Sequence, residues 1–306
     1  MSGEELSQQL QVSRTAVWKH IEELRKEGYV IEAQKKLGYK ILKIPTTLSN
    51  NPILSKLQTK WLGQALHTFQ EVDSTQGIAQ KLAREGCPSG TVVIADRQLA
   101  GKGRMGRVWY SPPEKGIWMS VILRPEIPVT SAPQLTLLAS VAILKGMTKV
   151  TGLDIGIKWP NDLLIQNRKL AGILTELSAE PDHINHVIVG VGINVNHSLE
   201  DFPDELKEIA TSLLIEGKQE VDRNELIVTI LKEWEDLFEL YLAHGFGPIK
   251  TLWEAYTVSL GKEVIARTMR GEYRGKALGI NDEGVLLLED ESKTIHKIYS
   301  ADIETV

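Results

Sequence analysis

Ala100-Gly101-Lys102-Gly103-Arg104-Met105-Gly106-Arg107-Val108-Trp109 places three glycines and three cations within seven residues and closes on a tryptophan. Glycine lets backbone turn sharply and come close to a ligand. Lys and Arg bring fixed charge and hydrogen-bond donors. The stretch reads as a loop that holds an anion, phosphate or carboxylate. Gly101, Gly103 and Gly106 also spell GxGxxG, so its reading decides for or against a Rossmann domain. That fingerprint must open a helix, so that a pyrophosphate meets the helix N-terminus. Here Val108-Trp109-Tyr110-Ser111-Pro112-Pro113 follows, and then Gly116 to Leu123, a strand pattern. The Walker pattern GxxxxGK[ST] does not occur. Upstream, Thr91 to Ala95 is also strand-like. The loop therefore joins two strands and must supply positive charge from its own side chains. The competing reading is an ordinary basic turn.

Working outward, 306 residues allow two or three domains. The hydrophobic fraction of 42% and charged fraction of 25% fit a soluble globular protein. A net charge of -5 argues against a general polyanion binder. Cys87 is the single cysteine, which excludes an internal disulfide framework and a cysteine zinc site and fits a reducing cytoplasm. Met1 to Glu5 has no basic region or apolar core, so no signal peptide is expected. The apolar stretch around Leu135 to Leu144 is too short to span a bilayer.

Residues 1–43 hold eight Lys/Arg against six Asp/Glu, whereas the remainder holds 27 against 34. This basic end reads as two short helices, Glu4 to Leu10 and Arg14 to Glu27, the second capped by Ser13 and ended by Gly28. Val17, Ile21 and Leu24 share one face. Ser13, Arg14, Thr15, Trp18 and Lys19 lie toward the other side at the helix start, where a recognition helix meets base edges and phosphates. A hairpin of Tyr29–Ala33 and Gly38–Leu42 follows, with Lys35 and Lys36 at its basic tip. The pattern resembles a winged helix-turn-helix that lacks its usual first helix, so Leu6, Leu10 and Val17 are expected to lose a packing partner. A small helical interaction module is the alternative.

A proline-bearing linker, 44–52, leads to the larger part. Asp73-Ser74-Thr75-Gln76 joins a strand to a helix over 75–84, with Ser74 as candidate cap or as ligand donor. Pro133 to Val150 is an apolar helix. In Lys158-Trp159-Pro160-Asn161-Asp162, Asp162 is suited to ligate Mg²⁺ or orient a phosphate-bound water. Leu163–Ile165 and Leu170–Leu177 read as a hairpin, with Lys169 opening the return strand. In the strand 186–196, Val187, Val189, Val191, Ile193 and Val195 face a core. Gly190, Gly192, Asn194 and Asn196 face the other way, a surface stripped for close approach of a ligand or backbone, with the ligand favoured. Asp222 to Leu242 is an amphipathic helix with an Asp222/Glu225 capping box. Residues 261–306 are short strands with turns at 269–272, 281–284 and 289–292, a small all-β barrel.

The motifs Asp73–Thr75, Gln98–Trp109, Lys158–Asp162, Arg168–Ile173 and Gly190–Asn194, in this order and spacing, resemble bacterial biotin protein ligases. With the N-terminal helix-turn-helix, the chain resembles their bifunctional type, biotin operon repressor and biotin–[acetyl-CoA-carboxylase] ligase. The resemblance covers essentially the full length. It implies an α+β multidomain protein: a winged helix-turn-helix over 1–45, an α/β ligase domain with a mixed sheet over 46–258, and an SH3-like barrel over 259–306. It implies ATP, Mg²⁺ and biotin, and formation of biotinyl-5′-AMP before transfer to a lysine of a carboxylase carrier domain, that of acetyl-CoA carboxylase or pyruvate carboxylase. It further implies operator DNA, a homodimer with biotinyl-5′-AMP bound, and a cytoplasmic location. Catalytic residues would be Lys169, Arg104, Lys102 and Asp162. Biotin would be bound by Ser74, Thr75, Gln76, Gln98, Lys102, Gly103, Arg104, Lys169, Gly172 and Gly190, and ATP by Gly101, Arg107, Trp109, Asn161, Asp162 and Asn194, with Trp109 stacking on adenine. Two positions depart from the family pattern: Gln76 stands where Asn is frequent, and Lys102 where Arg is common. Lys keeps the charge but loses the bidentate fork. The alternatives are a ligase without a DNA-binding role, a lipoate ligase, and a non-catalytic biotin-sensing regulator.

Overall fold

The computed structural model describes residues 2–26, 28–34, 38–43, 48–269 and 271–305. The chain divides between Ser49 and Asn50 into two compact units. In the first, helix α1 (Gly3–Leu10) starts at Ser2, where Ser2 and Glu5 form a reciprocal capping box, and stops at Gln11 in the left-handed region. Helix α2 (Arg14–Lys26) starts at Ser13, whose Oγ accepts from Ala16 N at 3.2 Å. Strands β1 (Val30–Gln34) and β2 (Gly38–Lys43) pair antiparallel. Val17 and Ile21 of α2 and Ile31 of β1 form the core, flanked by Leu6, Val12, Leu24, Tyr29 and Tyr39. Leu10 stands exposed, whereas Val17 is buried in that cluster. The expected wing tip at Lys35 and Lys36 lies outside the described residues.

The second unit opens with a short helix, α3 (Asn50–Leu54), and is built on seven strands: β3 (Leu66–Val72), β4 (Thr91–Gln98), β5 (Gly116–Leu123), β6 (Gly156–Lys158), β7 (Asp162–Ile165), β8 (Arg168–Ala179) and β9 (Ile184–Asn194). Their order is β3-β4-β5-β9-β8-β7-β6. Only β3 and β4 run parallel, joined through helix α4 (Thr75–Arg84); every other pair is antiparallel. The sheet is thus mixed. A strand, not a helix, follows the glycine loop, so the dinucleotide spelling is excluded by topology. β5 is buried along its whole length, as its apolar run requires. α4 packs on β4, β5 and β9 through Ala79, Ala83, Val93, Ile122 and Ile188. Helix α5 (Ala132–Thr151) is apolar nearly all round because it lies between sheet and helices: it packs on β8 and β9, on α7 (Arg223–His244) and on α8 (Gly247–Tyr256). A short helix, α6 (Leu213–Gly217), precedes α7.

Strands β10 (Glu263–Thr268), β11 (Gly271–Ile280), β12 (Leu286–Glu289), β13 (Ile295–Ile298) and β14 (Asp302–Thr305) form an antiparallel sheet in the order β13-β12-β11-β10-β14. The expected SH3-like barrel is not confirmed: among the described residues β13 and β14 are the two edges and no pairing between them closes the sheet.

Asp222 caps α7 by accepting from Asn224 N and Glu225 N. The same helix buries a carboxylate that the amphipathic pattern did not flag. Glu235 is 1% exposed and accepts three backbone N–H groups, from Lys60 at 2.7 Å and from Trp61 and Leu62 at 2.9 Å each. Removing it leaves three backbone donors unmet, that of Leu62 buried and those of Lys60 and Trp61 partly buried, so Glu235→Ala is expected to destabilise this unit by about 2–4 kcal/mol. A urea midpoint that does not move would contradict this account.

Candidate active site

The second unit contains a cavity of about 450 Å³ bounded by the ends of β4, β8 and β9, the start of α4 and the loop after β4. Ser74, Thr75, Gln76, Gln98, Lys102, Gly103, Arg104, Arg107, Trp109, Asn161, Asp162, Lys169, Gly172, Gly190 and Asn194 all line it. These are residues singled out from sequence segments far apart in the chain. Gly101 is the exception. It does not line the cavity; a Cβ there would meet Trp109 O at 2.4 Å and Ser111 Oγ at 2.8 Å. Its missing Cβ serves the packing of the loop itself.

That loop is a tight hairpin. Lys102 and Val108 form an antiparallel bridge, Trp109 N donates to Gly101 O at 2.8 Å, and Gly103 N donates to Arg107 O at 2.7 Å. Met105 and Gly106 turn it with φ of 55° and 74°. Trp109 is thereby returned to the sheet. Its ring lies where β8 and β9 have no side chains: a Cβ on Gly172 would be 2.8 Å from the ring, and one on Gly192 2.4 Å from its Nε1. Gly190 faces Gln76 Oε1 in the same way, at 2.6 Å. The glycine face favoured above for ligand contact is covered by the chain's own Trp109 and Gln76. Lys169 Nζ lies 5.2 Å from the Trp109 ring centroid, a cation–π contact. The indole N–H is buried and has no hydrogen-bond partner.

One end of the cavity is a continuous chain of hydrogen bonds. Thr75 Oγ1 lies 2.9 Å from Ser120 Oγ, and Ser120 Oγ donates to Gln76 Oε1 at 2.9 Å. Thr75 N donates to Gln98 Oε1 at 2.9 Å, Gln98 Nε2 to Ser111 Oγ at 2.9 Å, and Ser111 Oγ to Trp109 O at 3.0 Å. Of the two roles open to Ser74, cap or ligand donor, the first is not taken: its side chain makes no capping bond, and its Oγ is buried without a partner. Gln76 Nε2 reaches Leu174 O and Ile188 O only at 3.4 Å each. This end therefore offers polar atoms that the protein itself does not fully use. Ser120 was missed from sequence, although a lone hydroxyl in the apolar run of β5 was its signal.

The other end is charged. Lys169 Nζ stands 2.7 Å from Asp162 Oδ1. Arg104 Nη1 donates to Asn161 Oδ1 at 2.8 Å and Nη2 to Ser300 Oγ at 2.8 Å. Burial pulls the Arg104 pKa below its ordinary value, opposed by the carboxylates of Asp302 and Asp162. Arg107 is ion-paired with Asp302. Phe202, Leu206, Ile209 and Ala210 form a wall that sequence reading did not find, because its short 3-10 turns carry no helical or strand periodicity. The wall is tied to the catalytic candidate: Lys169 N donates to Ile209 O at 2.7 Å, Thr211 N to Lys169 O at 2.9 Å, and Asn194 Nδ2 to Thr211 O at 3.0 Å.

Asp162 and Asp302 are the carboxylates facing the cavity. No cluster of three His, Cys, Asp or Glu suited to a metal exists among the described residues. Mg²⁺ needs no such cluster, since it takes one or two carboxylates and completes its octahedron with water and substrate phosphates. In the first unit, Ser13, Arg14, Thr15, Trp18 and Lys19 are all exposed at the start of α2, Trp18 to 53%. Ser13 Oγ is engaged in capping, and Arg14 pairs with Glu4 at 3.1 Å, a weak exposed pair that a phosphate can replace.

His197 lies under the wall. Its ring is fully buried, stacked on Phe202 at 4.8 Å and edge-on to Trp118 at 6.0 Å, and neither nitrogen has a hydrogen-bond partner. Burial pushes its pKa down to about 4 from 6.5; Asp201 opposes this, and Lys115 and Arg223 add to it. The unfolded chain takes up this proton below about pH 6.5, the folded chain only near 4. Stability from this group is complete above 6.5 and declines as pH falls toward 4, by up to about 3 kcal/mol. His197→Phe is expected to reduce the loss of urea midpoint between pH 7 and pH 5; equal losses in both proteins would refute this origin.

The profile of the Biotin/lipoate A/B protein ligase family matches residues 68–194, that of an HTH domain residues 1–40, and that of the biotin protein ligase C-terminal domain residues 259–305. The bifunctional ligase/repressor BirA of Bacillus subtilis is 53% identical over 304 residues, covering 99% of this chain and 93% of that protein. The Escherichia coli protein of the same name is 31% identical over 291 residues, covering 95% and 88%. Among solved structures, the Aquifex aeolicus biotin protein ligase in complex with biotin and ATP superposes with a TM-score of 0.69 at 31% identity, covering 79% of this chain and 99% of that one. The chain belongs to the family of bifunctional ligase/repressor proteins, within the biotin protein ligases.

Proposed function

We propose that this protein is an ATP-dependent biotin protein ligase that also represses transcription in response to biotin. In the first step a biotin carboxylate oxygen attacks the α-phosphorus of ATP, and the bond to pyrophosphate breaks, leaving biotinyl-5′-AMP. In the second, the ε-amine of a carrier-domain lysine attacks the acyl carbon and AMP departs. The observation that carries this reading is one cavity with an under-used polar end and a cationic end. A ureido ring needs donors and acceptors in a buried place; a carboxylate and a triphosphate repel and need cations between them.

Ser74, Thr75, Gln76 and Gln98 bind the ring end. Lys169, Arg104 and Lys102 bring the carboxylate and α-phosphate together and stabilise the charge that builds there. Arg107, Asn161 and Asn194 serve the nucleotide. Trp109, which lines the cavity and is the expected stacking partner of adenine, also keeps a buried N–H without a partner. Asp162, which is ion-paired with Lys169, would hold Mg²⁺, and the ion would offset phosphate charge. The acceptor is a biotin carboxyl carrier domain, that of acetyl-CoA carboxylase or pyruvate carboxylase. Operator DNA meets Arg14, Thr15, Trp18 and Lys19 on α2. Two copies, dimerised with biotinyl-5′-AMP bound, present two such helices to two half-sites. The proposed place of action is the cytoplasm; among the described residues no helix is long and apolar enough to cross a membrane.

Lys169→Met keeps the length of the side chain and removes its charge. It is expected to cut biotin-dependent ATP–pyrophosphate exchange by about 100-fold or more, with biotin still bound. Exchange driven by lipoate and not by biotin would overturn the substrate assignment. On the biotin-gene operator, a mobility shift is expected with biotin and ATP together and is expected to weaken in Lys19→Ala. A shift indifferent to biotin would remove the regulatory half.

A further inference from the structure

The C-terminal sheet reaches the ligase cavity at one place. Asp302, the first residue of β14, pairs with Arg107 of the glycine hairpin, and Ser300 just before it accepts from Arg104 Nη2 at 2.8 Å. Beside this contact a smaller cavity of about 180 Å³ is bounded by Arg104, Arg107, Lys158, Asn161, Asp162 and Asp302. Three cations and two carboxylates thus share one small space. Asp162 already has Lys169 at 2.7 Å. Asp302 is the anion that faces Arg107.

We propose that the Asp302 carboxylate is an intramolecular stand-in for a nucleotide phosphate, paired with Arg107 until the triphosphate displaces it, so that this residue sets the affinity for ATP. The inference rests on the ligase reading above. Carboxylate and phosphate oxygens are acceptors for the same guanidinium fork. The pair is half-exposed, at 66% and 36% for the two side chains. Such pairs are weak, and a polyanionic triphosphate replaces the single carboxylate readily. Once displaced, the Asp302 charge remains beside the phosphates and repels them. Both effects act against nucleotide binding, and neither touches the ring end of the cavity. Asp302 is therefore an affinity-setting residue and takes no part in the chemistry.

The test is ATP–pyrophosphate exchange by the full-length protein. Exchange by the wild type that requires biotin checks the ligase reading by itself; its absence overturns that reading and the Asp302 proposal with it. Given exchange, Asp302→Asn is expected to lower the KM for ATP roughly two- to fivefold, the scale of one half-exposed ion pair. The KM for biotin and kcat are expected to stay close to wild type. The gain shrinks at high salt, because exposed charges are screened. Asp302→Glu keeps the competing charge and is expected to keep the wild-type KM. In an Arg107→Ala background, Asp302→Asn is expected to lower the KM by less, since the partner it masks is gone. A KM for ATP that is unchanged or raised in Asp302→Asn overturns the proposal, as does an equal fall with and without Arg107. Should Asp302→Asn melt early, Asp302→Ser provides a second neutral variant for the same reading.

Discussion

The absence of a Cβ at Gly172 and Gly192 fixes the geometry of the cavity. With any larger residue there, the Trp109 indole could not lie against β8 and β9. The position of the indole in turn depends on the hairpin of the glycine loop, since Trp109 N is bonded to Gly101 O and that hairpin carries Lys102, Arg104 and Arg107. Lys169 then finds a ring on one side and Asp162 on another. Two missing methyl groups thus determine where four cations stand. A wet, flexible loop would leave the same cations apart and solvated, and their effect on a developing negative charge would be far smaller.

The second dependence is on backbone continuity between Lys169 and the wall over 206–211. Lys169 exchanges hydrogen bonds with Ile209 and Thr211, and Glu216 gathers Arg168 at 2.7 Å and the Thr211 hydroxyl at the end of that segment. The stack of His197 on Phe202 supports the same wall from beneath. A ligand that moves Leu206 or Ile209 therefore pulls on the strand that carries the lysine. Coupling between occupancy and loop order needs no long path here, because the elements share hydrogen bonds.

Much of this was legible in the sequence. Gly101 to Trp109 and Lys158 to Asp162 named the cationic and amide side chains, and the period-two pattern of 186–196 put Gly190 and Gly192 on one face. Local sequence carries turn chemistry and face periodicity, and those readings rested on both. The pattern did not reveal that Trp109 and Gln76 lie on the glycine face beside the cavity, because a stripped surface announces a close neighbour without saying whose. Gly101 shows the same ambiguity: its spelling resembles a ligand contact, while the space a Cβ would take is filled by Trp109 O and Ser111 Oγ. Ser120, Phe202, Leu206 and Asp302 were not found. Each comes from an element whose own pattern is that of ordinary strand or turn, and only the long-range arrangement brings them to the cavity. The order of the C-terminal strands was likewise beyond local pattern, since it depends on pairing between distant strands.

The idle hydroxyl of Ser74 and the long contacts of Gln76 have a bearing on selectivity. Hydrogen-bonding groups already buried in the empty protein have lost most of their water, so a guest that satisfies them gains without a large further loss. A guest whose ring is only hydrocarbon or sulfur would seal them in with no partner, at a cost of a few kcal/mol for each group left unmet. Discrimination between acids of similar length then comes from rejection. The chain need not grip the right ring tightly, because the wrong one is excluded by the polar atoms it would strand.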